Sequence, residues 1–388
     1  MGEKGTGHYV LDRQKGGAVR KILFIPHHPA TTGIRIRLVE MAKALSANND
    51  VYLLSWNAVS GEYTLGKRIS VSLRDLFKTA RTYGKDGLSI LEFPTLHRPV
   101  SLAHRFNRIS LMRFIGEENV DTVINGSYYL FTLPEKRKVK YVVDFADLPS
   151  AGYAEEYVKR EAQKADHITV ASEGLAEYVQ EACRRDAHFV PNGVHIEKMR
   201  SVTRAEVEDL RRKHNLSGKY VFGYIGYIGN WVNVELVTKA FTLFKKEFPA
   251  SALLWIGPGP KLEELRSKYS GADIIFAGGI DDGVEAYFRV LDAGLLPTRK
   301  SPFQDKAFHL KLIEYTAAGK PVVSTPLEES MRLKLPNVIF TEEDEVKWSA
   351  AFKRASEMRW QEKWNALASQ YDWENIAGNL LNIISEGS

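Results

Sequence analysis

Short apolar, β-branched and aromatic runs recur along the chain, separated by longer stretches whose apolar positions return every three or four residues. KILFI at 21–25, VYLLS at 51–55, LSILEF at 88–93, DTVIN at 121–125, KYVVD at 140–144, HITVA at 167–171 and AHFV at 187–190 read as strands. The periodic stretches 33–47, 101–118, 153–165 and 173–184 read as helices among them. The scheme then restarts, with strands expected at 220–225, 252–256, 273–277, 292–296, 321–324 and 337–340. Helices are expected at 203–214, 232–247, 260–269, 282–289, 307–318, 344–357 and 361–385. Strands alternating with helices imply right-handed βαβ units and parallel sheets covered on both faces. Two consecutive blocks mean two doubly wound α/β domains, divided near the turn Pro191-Asn192-Gly193. Residues 1–18, polar and glycine-rich, read as a loose leader.

Composition narrows the setting. A chain of 388 residues, 44% hydrophobic, is long for one core and suits two. No stretch of 18 apolar residues is present, and the first residues lack the apolar core of a secretory signal. The single cysteine, Cys183, excludes an intrachain disulfide, and the expected location is the cytoplasm. The net charge of +5 resides in residues 1–195, which hold 27 Lys+Arg against 22 Asp+Glu. A basic half suits an anionic partner such as a lipid phosphate or a membrane surface. Segment 97–116 places Arg98, Arg105, Arg108 and Arg113 among Leu102, Phe106, Ile109, Leu111 and Phe114, a pattern that suits either a core-facing helix with a solvated back or a helix that lies on an anionic membrane. No nucleic-acid-binding motif accompanies the charge.

Ligands of open parallel sheets gather at the carboxyl ends of strands. Two such domains facing one another would form a cleft that excludes water. The stretch 292–325 is the richest: a strand ending at Pro297 and Thr298, a polar loop, then a helix opening near Lys306 or Ala307 and stopped by Gly319. The free N–H groups around Phe308 to Leu310 would bind phosphate. Lys311 and Glu314, three apart, share a helix face. The cation suits a diphosphate and the carboxylate suits a ribose diol. Strand 220–225 runs into a loop carrying Gly226, Tyr227 and Gly229, whose glycines allow close approach of backbone to phosphate. Gly257 follows the next strand and faces the same edge.

These segments, read together, resemble a known family. Pro191-Asn192-Gly193-Val194, the run Asp292 to Pro297, Lys311-Leu312-Ile313-Glu314-Tyr315 with Ala317-Ala318-Gly319-Lys320-Pro321-Val322-Val323, and Asp372-Trp373-Glu374-Asn375-Ile376-Ala377 follow in the order of family 4-type GT-B glycosyltransferases. The resemblance spans residues 20–385 and is closest to variant bacterial and archaeal surface-polysaccharide transferases. It implies a GT-B fold: an acceptor domain at 19–195, a nucleotide-sugar donor domain at 196–365, and a helix at 366–388 packing back on the first domain. It implies transfer from a UDP- or GDP-sugar to a glycan, polysaccharide or lipid-linked acceptor, peripheral on the inner membrane face, with no cofactor and no metal. Glu314 would hold the ribose. The chain departs from the family where a first carboxylate is common, since Lys306 stands there with Asp305 one position off. Tyr227 and the uncharged segment 230–233 replace the family's basic pair beyond the glycine loop. Lys311, Lys306, His309 and Arg299 are then the candidates to meet the diphosphate, with Arg35 or Arg37 from the first domain.

In the first half, strand 21–25 ends at Pro26 and leads into the loop His27–Gly33. Thr31, Thr32 and Gly33 offer a cap and N–H groups to a phosphate; a simple helix cap accounts for them equally. Asp144 and Asp147 follow strand 140–144, where a carboxylate could take a proton from an acceptor hydroxyl, with His27 or His28 behind them. A retaining reaction would need no such base. Two other readings remain: a nucleotide-sugar 2-epimerase, which needs no acceptor, and a nucleotide-binding homologue without turnover.

Overall fold

The computed structural model describes residues 19–27, 37–56, 65–85, 87–149, 153–271, 273–280 and 282–386. The leader 1–18, the start of the helix expected from 33, and His28, Thr31, Thr32, Gly33 and Arg35 lie outside the described residues.

Eight strands form the first sheet: β1 Lys21–Ile25, β2 Asp50–Leu54, β3 Arg81–Lys85, β4 Leu88–Glu92, β5 Thr122–Asn125, β6 Lys140–Phe145, β7 His167–Val170 and β8 His188–Phe189. Their spatial order is β3-β4-β2-β1-β5-β6-β7-β8. Around them run α1 Arg37–Leu45, α2 Leu65–Leu76, α3 Val100–Glu118, α4 Tyr153–Lys164 and α5 Glu173–Cys183. Four residues of β1 are fully buried, which is why its sequence shows no polar alternation. The stretch between β2 and β4 held no expected element, yet α2 and β3 form there. β3 is solvent-exposed throughout and pairs antiparallel with β4, so it lacks the apolar signature of its neighbours.

Six parallel strands form the second sheet: β9 Tyr220–Ile225, β10 Ser251–Ile256, β11 Ile274–Gly278, β12 Ala293–Leu296, β13 Val322–Ser324 and β14 Val338–Phe340. Their order is β11-β10-β9-β12-β13-β14. The helices are α6 Ile196–Ser201, α7 Arg204–Lys213, α8 Val234–Glu247, α9 Leu262–Tyr269, α10 Val284–Val290, α11 Pro302–Lys306, α12 Leu310–Ala317, α13 Glu328–Arg332, α14 Glu345–Glu357, α15 Glu362–Ser369 and α16 Trp373–Ser385. One core joins α8 and α14 to the sheet through Phe222, Phe241, Phe244, Trp255, Trp348 and Phe352, all buried. Burying each such side chain contributes about 2–3 kcal/mol. Local signals start the helices: Thr203 and Glu206 form a capping box on α7, and Asn233 and Asp344 cap α8 and α14.

Of two expected helices, one is shortened and one is divided. The helix expected at 307–318 begins at Leu310, because Ser301 caps a separate turn, α11, with Pro302 at its first position, and Ala307 is extended. The helix expected at 361–385 breaks at Gln370–Asp372, where Asp372 pairs with Val194 and its carboxylate accepts the Ile196 N–H at 3.1 Å. The short helices α6 and α13 were also not foreseen.

Contacts divide the chain into two units, Met1–Thr169 with Val179–His188 and Ala377–Ser388, and Val170–Tyr178 with Phe189–Ile376. The stretch from Ala377 onward, most of α16, thus belongs to the first unit, where the Lys140 amine donates to the Ile384 and Glu386 carbonyls at 2.8 and 2.9 Å.

Candidate functional site

The second sheet reverses its winding between β9 and β12, the point where open parallel sheets collect ligands. The Gly226 N–H donates to the Ile256 carbonyl at 2.8 Å, and the Gly257 N–H to the Gly278 carbonyl at 2.7 Å. Gly226 and Gly257 adopt φ of +148° and +131°, in the region that favours glycine. A Cβ on Gly257 would lie 1.9 Å from the Gly226 carbonyl oxygen, and one on Gly226 would lie 2.2 Å from the Lys311 Cε. The two loops therefore touch backbone to backbone, and the Lys311 side chain crosses the first glycine.

Beside that crossing stands Glu314, one turn along α12 and 8% exposed. Its Oε2 is shielded from water and accepts no hydrogen bond. The nearest cation is the Lys311 amine, at 3.6 Å, beyond hydrogen-bond range. An unsatisfied buried acceptor costs about 1–3 kcal/mol and calls for an explanation. Tyr315, next in sequence, is a packing residue. Its phenol oxygen accepts the Ile225 N–H at 3.1 Å, and its ring fills the space a side chain on Gly294 would take. Burial raises its pKa far above the ordinary value.

The other candidate cations are engaged elsewhere. The Lys306 amine lies 3.6 Å from Glu177, and its backbone carbonyl accepts from the Ser172 hydroxyl. Arg299 donates to Asn233 at 2.9 Å, and its N–H holds the Trp231 carbonyl. His309 donates from Nε2 to the Gln304 carbonyl, and burial lowers its pKa, which disfavours the charged ring. Lys311 alone of the four lies across the glycine loop. Where charge was expected past Gly226, Tyr227 and Trp231 stack at 5.7 Å, both exposed, with Gly229 leaving room for the indole.

Two distant segments of the resemblance meet in this unit. The Val194 N–H donates to the Tyr371 carbonyl at 2.7 Å, and Gly193 sits where any side chain would strike the Trp373 ring.

In the first unit the winding reverses between β1 and β5, and His27 and Gly126 follow those strands. Asp144, 1% exposed, is saturated. Arg37 grips it with two bonds of 2.8 and 2.7 Å, Thr169 donates at 2.6 Å and His27 Nε2 at 2.7 Å. Burial pushes its carboxyl up, but the Arg37 charge and the bonds from Arg37 and His27 overcome this and hold it well below the usual range. A carboxylate so stabilised and enclosed is ill suited to remove a proton, and the expectation that Asp144 is the base does not fit. Arg37 likewise serves Asp144 rather than a phosphate. With Nε2 engaged by Asp144, Nδ1 is the His27 ring nitrogen left for another partner. A side chain on Gly126 would lie 2.6 Å from that atom. Asp147 is solvent-accessible, yet desolvation by its surroundings raises its pKa, with the charges of His27 and Arg37 opposing. Sequence reading missed Thr169 and Gly126, since neither lies in a recognisable motif.

Among the described residues no three His, Cys, Asp or Glu gather where a metal could bind, and no helix is long and apolar enough to cross a membrane.

Residues 219–357 match the family described as "Glycosyl transferases group 1". Over 95% of its length the chain superposes on all of a glycosyltransferase from Rickettsia africae, with a TM-score of 0.73 at 15% identity. The fold is GT-B. HepE of Anabaena, solved in complex with UDP, gives a TM-score of 0.66 at 14% identity over 94% of this chain and 99% of that one. In sequence, a putative teichuronic acid biosynthesis glycosyltransferase of Bacillus subtilis, TuaH, is 30% identical over 184 residues, 45% of this chain and 44% of TuaH. An uncharacterised glycosyltransferase of Methanocaldococcus jannaschii is 24% identical over 196 residues, 49% of this chain and 48% of its own length. The chain thus spans less than half the length of either curated relative. Together these matches show the GT-B fold and a likeness of residues 219–357 to the group 1 glycosyl transferases.

Proposed function

We propose that this GT-B protein transfers a sugar from a UDP-sugar to a glycan or lipid-linked acceptor. The observation that carries the reading is the unpartnered, buried Oε2 of Glu314, beside Lys311 and the glycine turns at the switch point of the second sheet. A ribose diol supplies the hydroxyl donors that oxygen lacks. The Lys311 amine and the backbone at Gly226 meet the diphosphate, and stabilise it as it leaves. UDP is favoured because HepE, of the same fold, was solved with UDP and with UDP-glucose. A polysaccharide-type acceptor is favoured by the similarity to TuaH.

In the first unit, His27 is assigned to take the acceptor's proton on Nδ1. Asp144 fixes the ring and offsets the charge it acquires, while Arg37 and Thr169 hold Asp144. Attack by the acceptor oxygen on the anomeric carbon then breaks the bond to the β-phosphate oxygen, which leaves as UDP.

The outer face of α3 is assigned to an anionic membrane. Leu102, Phe106 and Ile109 are exposed in one stripe, with Arg105 and Arg113 exposed beside them. Ile109→Glu should abolish co-sedimentation with phosphatidylglycerol vesicles; unchanged binding would refute the assignment.

The decisive experiment titrates the chain calorimetrically with UDP, GDP, ADP and CMP, then supplies the matching nucleotide-sugar with and without acceptor. UDP binding and acceptor-dependent UDP release support the proposal. Absence of nucleotide binding overturns it, and epimerisation of the donor without acceptor reassigns the chain to the isomerases.

A further inference from the structure

A cavity of about 540 Å³ opens on the second unit between α7, α10, the end of α12 and the start of α15. That volume lies within the range of small-molecule sites. Arg289 precedes β12, and Ala317 to Lys320 lead into β13, so the cavity is at the amino edge of the sheet. Glu314 and the glycine turns lie toward the carboxyl edge, and the nucleotide reading does not use this space.

The walls have a definite chemistry. Three cations, Arg204, Arg289 and Lys320, line the cavity, and none of the described lining residues is a carboxylate. Arg204 is held by Glu208 at 2.7 Å, whereas among the described residues the Lys320 amine finds only the Arg289 carbonyl, at 3.2 Å. Trp360 forms an aromatic wall and is 55% exposed. Its ring approaches so closely that a Cβ on Gly319 would lie 2.6 Å from the indole Cδ1, and Gly319 itself adopts φ +72°. Only glycine allows that backbone and that contact together. The side-chain oxygen of Asn365, shielded from water, accepts no hydrogen bond.

The end of α12 would repel an anion if its last carbonyls were open. Three of them are closed: the carbonyls of Glu314, Tyr315 and Thr316 accept the N–H groups of Ala318, Lys320 and Gly319. Burial, with Arg289 and Arg211 acting the same way and Asp292 opposing, lowers the Lys320 amine to about 8. An amine held at such a cost, in a wall whose described residues include no carboxylate, is matched by a ligand that brings negative charge.

We propose that this cavity is a second ligand site, which takes a negatively charged saccharide. The sugar's apolar face lies on Trp360, its carboxylate or phosphate meets Arg289 and Lys320, and a hydroxyl donates to the Asn365 oxygen. A flat hydroxylated ring with an anionic group satisfies all three walls; a neutral sugar leaves the cations unmatched, and a bare anion leaves the indole and amide unused.

The test uses the full chain and four probes: trigalacturonate, glucose 6-phosphate, maltotriose and inorganic phosphate. Binding is read by calorimetry and by tryptophan fluorescence. Trigalacturonate or glucose 6-phosphate should bind, and which of them binds more tightly identifies the anionic group. The variant Arg289→Gln with Lys320→Gln should weaken that binding about tenfold or more, as loss of charge-assisted bonds does. Trp360→Leu should weaken it and remove the fluorescence change. UDP affinity, measured on each variant, should not move and shows that each is folded; should the double variant not fold, Trp360→Leu carries the test. Equal binding of maltotriose, equal binding of inorganic phosphate, or undiminished affinity in folded variants overturns the proposal. A chain that binds the charged saccharide but not UDP would sink the nucleotide reading and leave this one standing.

Discussion

Replacing Glu314 by Gln keeps the shape of the side chain and removes its charge, and the two consequences have opposite signs. In the free protein the carboxylate is 8% exposed, one oxygen lacks a hydrogen bond, and the Lys311 amine is 3.6 Å away. Desolvating that oxygen costs about 1–3 kcal/mol, while an ion pair of that length with a partly exposed lysine returns about 0–1 kcal/mol. Glu314→Gln should therefore stabilise the unliganded protein by about 1–2 kcal/mol, a rise of roughly 2–8 °C in Tm for a unit of this size. With nucleotide the sign reverses. A carboxylate can accept both hydroxyls of a diol, and the amide keeps only one acceptor. Losing one bond to a charged group costs about 1.5–3 kcal/mol, so UDP should bind about 10–150-fold more weakly. Differential scanning fluorimetry without ligand, paired with calorimetric titration of UDP, reads both. A variant that loses stability, or that binds UDP as tightly as the parent, refutes the reasoning: the first makes Glu314 structural and the second displaces the site.

Gly257→Ala should destabilise the second unit by several kcal/mol, because its methyl meets backbone at 1.9 Å and strains φ +131°, whereas Gly84→Ala, with open space around it, should be nearly silent in urea unfolding. Gly126→Ala should displace the His27 ring and lower kcat about a hundredfold or more while leaving UDP affinity intact; a parental kcat would remove His27 from the reaction. Lys320→Met should stabilise the protein at pH 7 by about 1–3 kcal/mol. The folded amine loses its proton near pH 8 and the unfolded one near 10.5, so the parent's penalty is full below pH 8 and fades as pH rises to 10.5. The advantage of the variant should vanish over that window in urea titrations; a variant less stable at pH 7 would contradict it.

Much of the architecture was legible because short buried strands advertise themselves. KILFI and YVFGYI form β1 and β9 within the expected bounds, since parallel strands covered on both faces need apolar residues at nearly every position. Strand β3 was illegible for the converse reason: all five residues face solvent, and only pairing with β4 makes them a strand. The turns around α11 depend on Ser301, Pro302 and an extended Ala307, a balance that periodicity over 307–318 does not register.

The same division runs through the candidate sites. The order of strands and helices, and the spacing that puts Lys311 and Glu314 on one face, follow from the sequence alone, because helical and strand periods are local properties of the backbone. Partner choice is not local. That Asp144 is spent on Arg37, His27 and Thr169, that Lys306 and Arg299 turn to Glu177 and Asn233, and that Glu314 keeps an oxygen unpaired were decided only by tertiary packing. Hydrogen bonds and ion pairs act over about 3–4 Å, and which groups come that close depends on how distant strands are laid side by side.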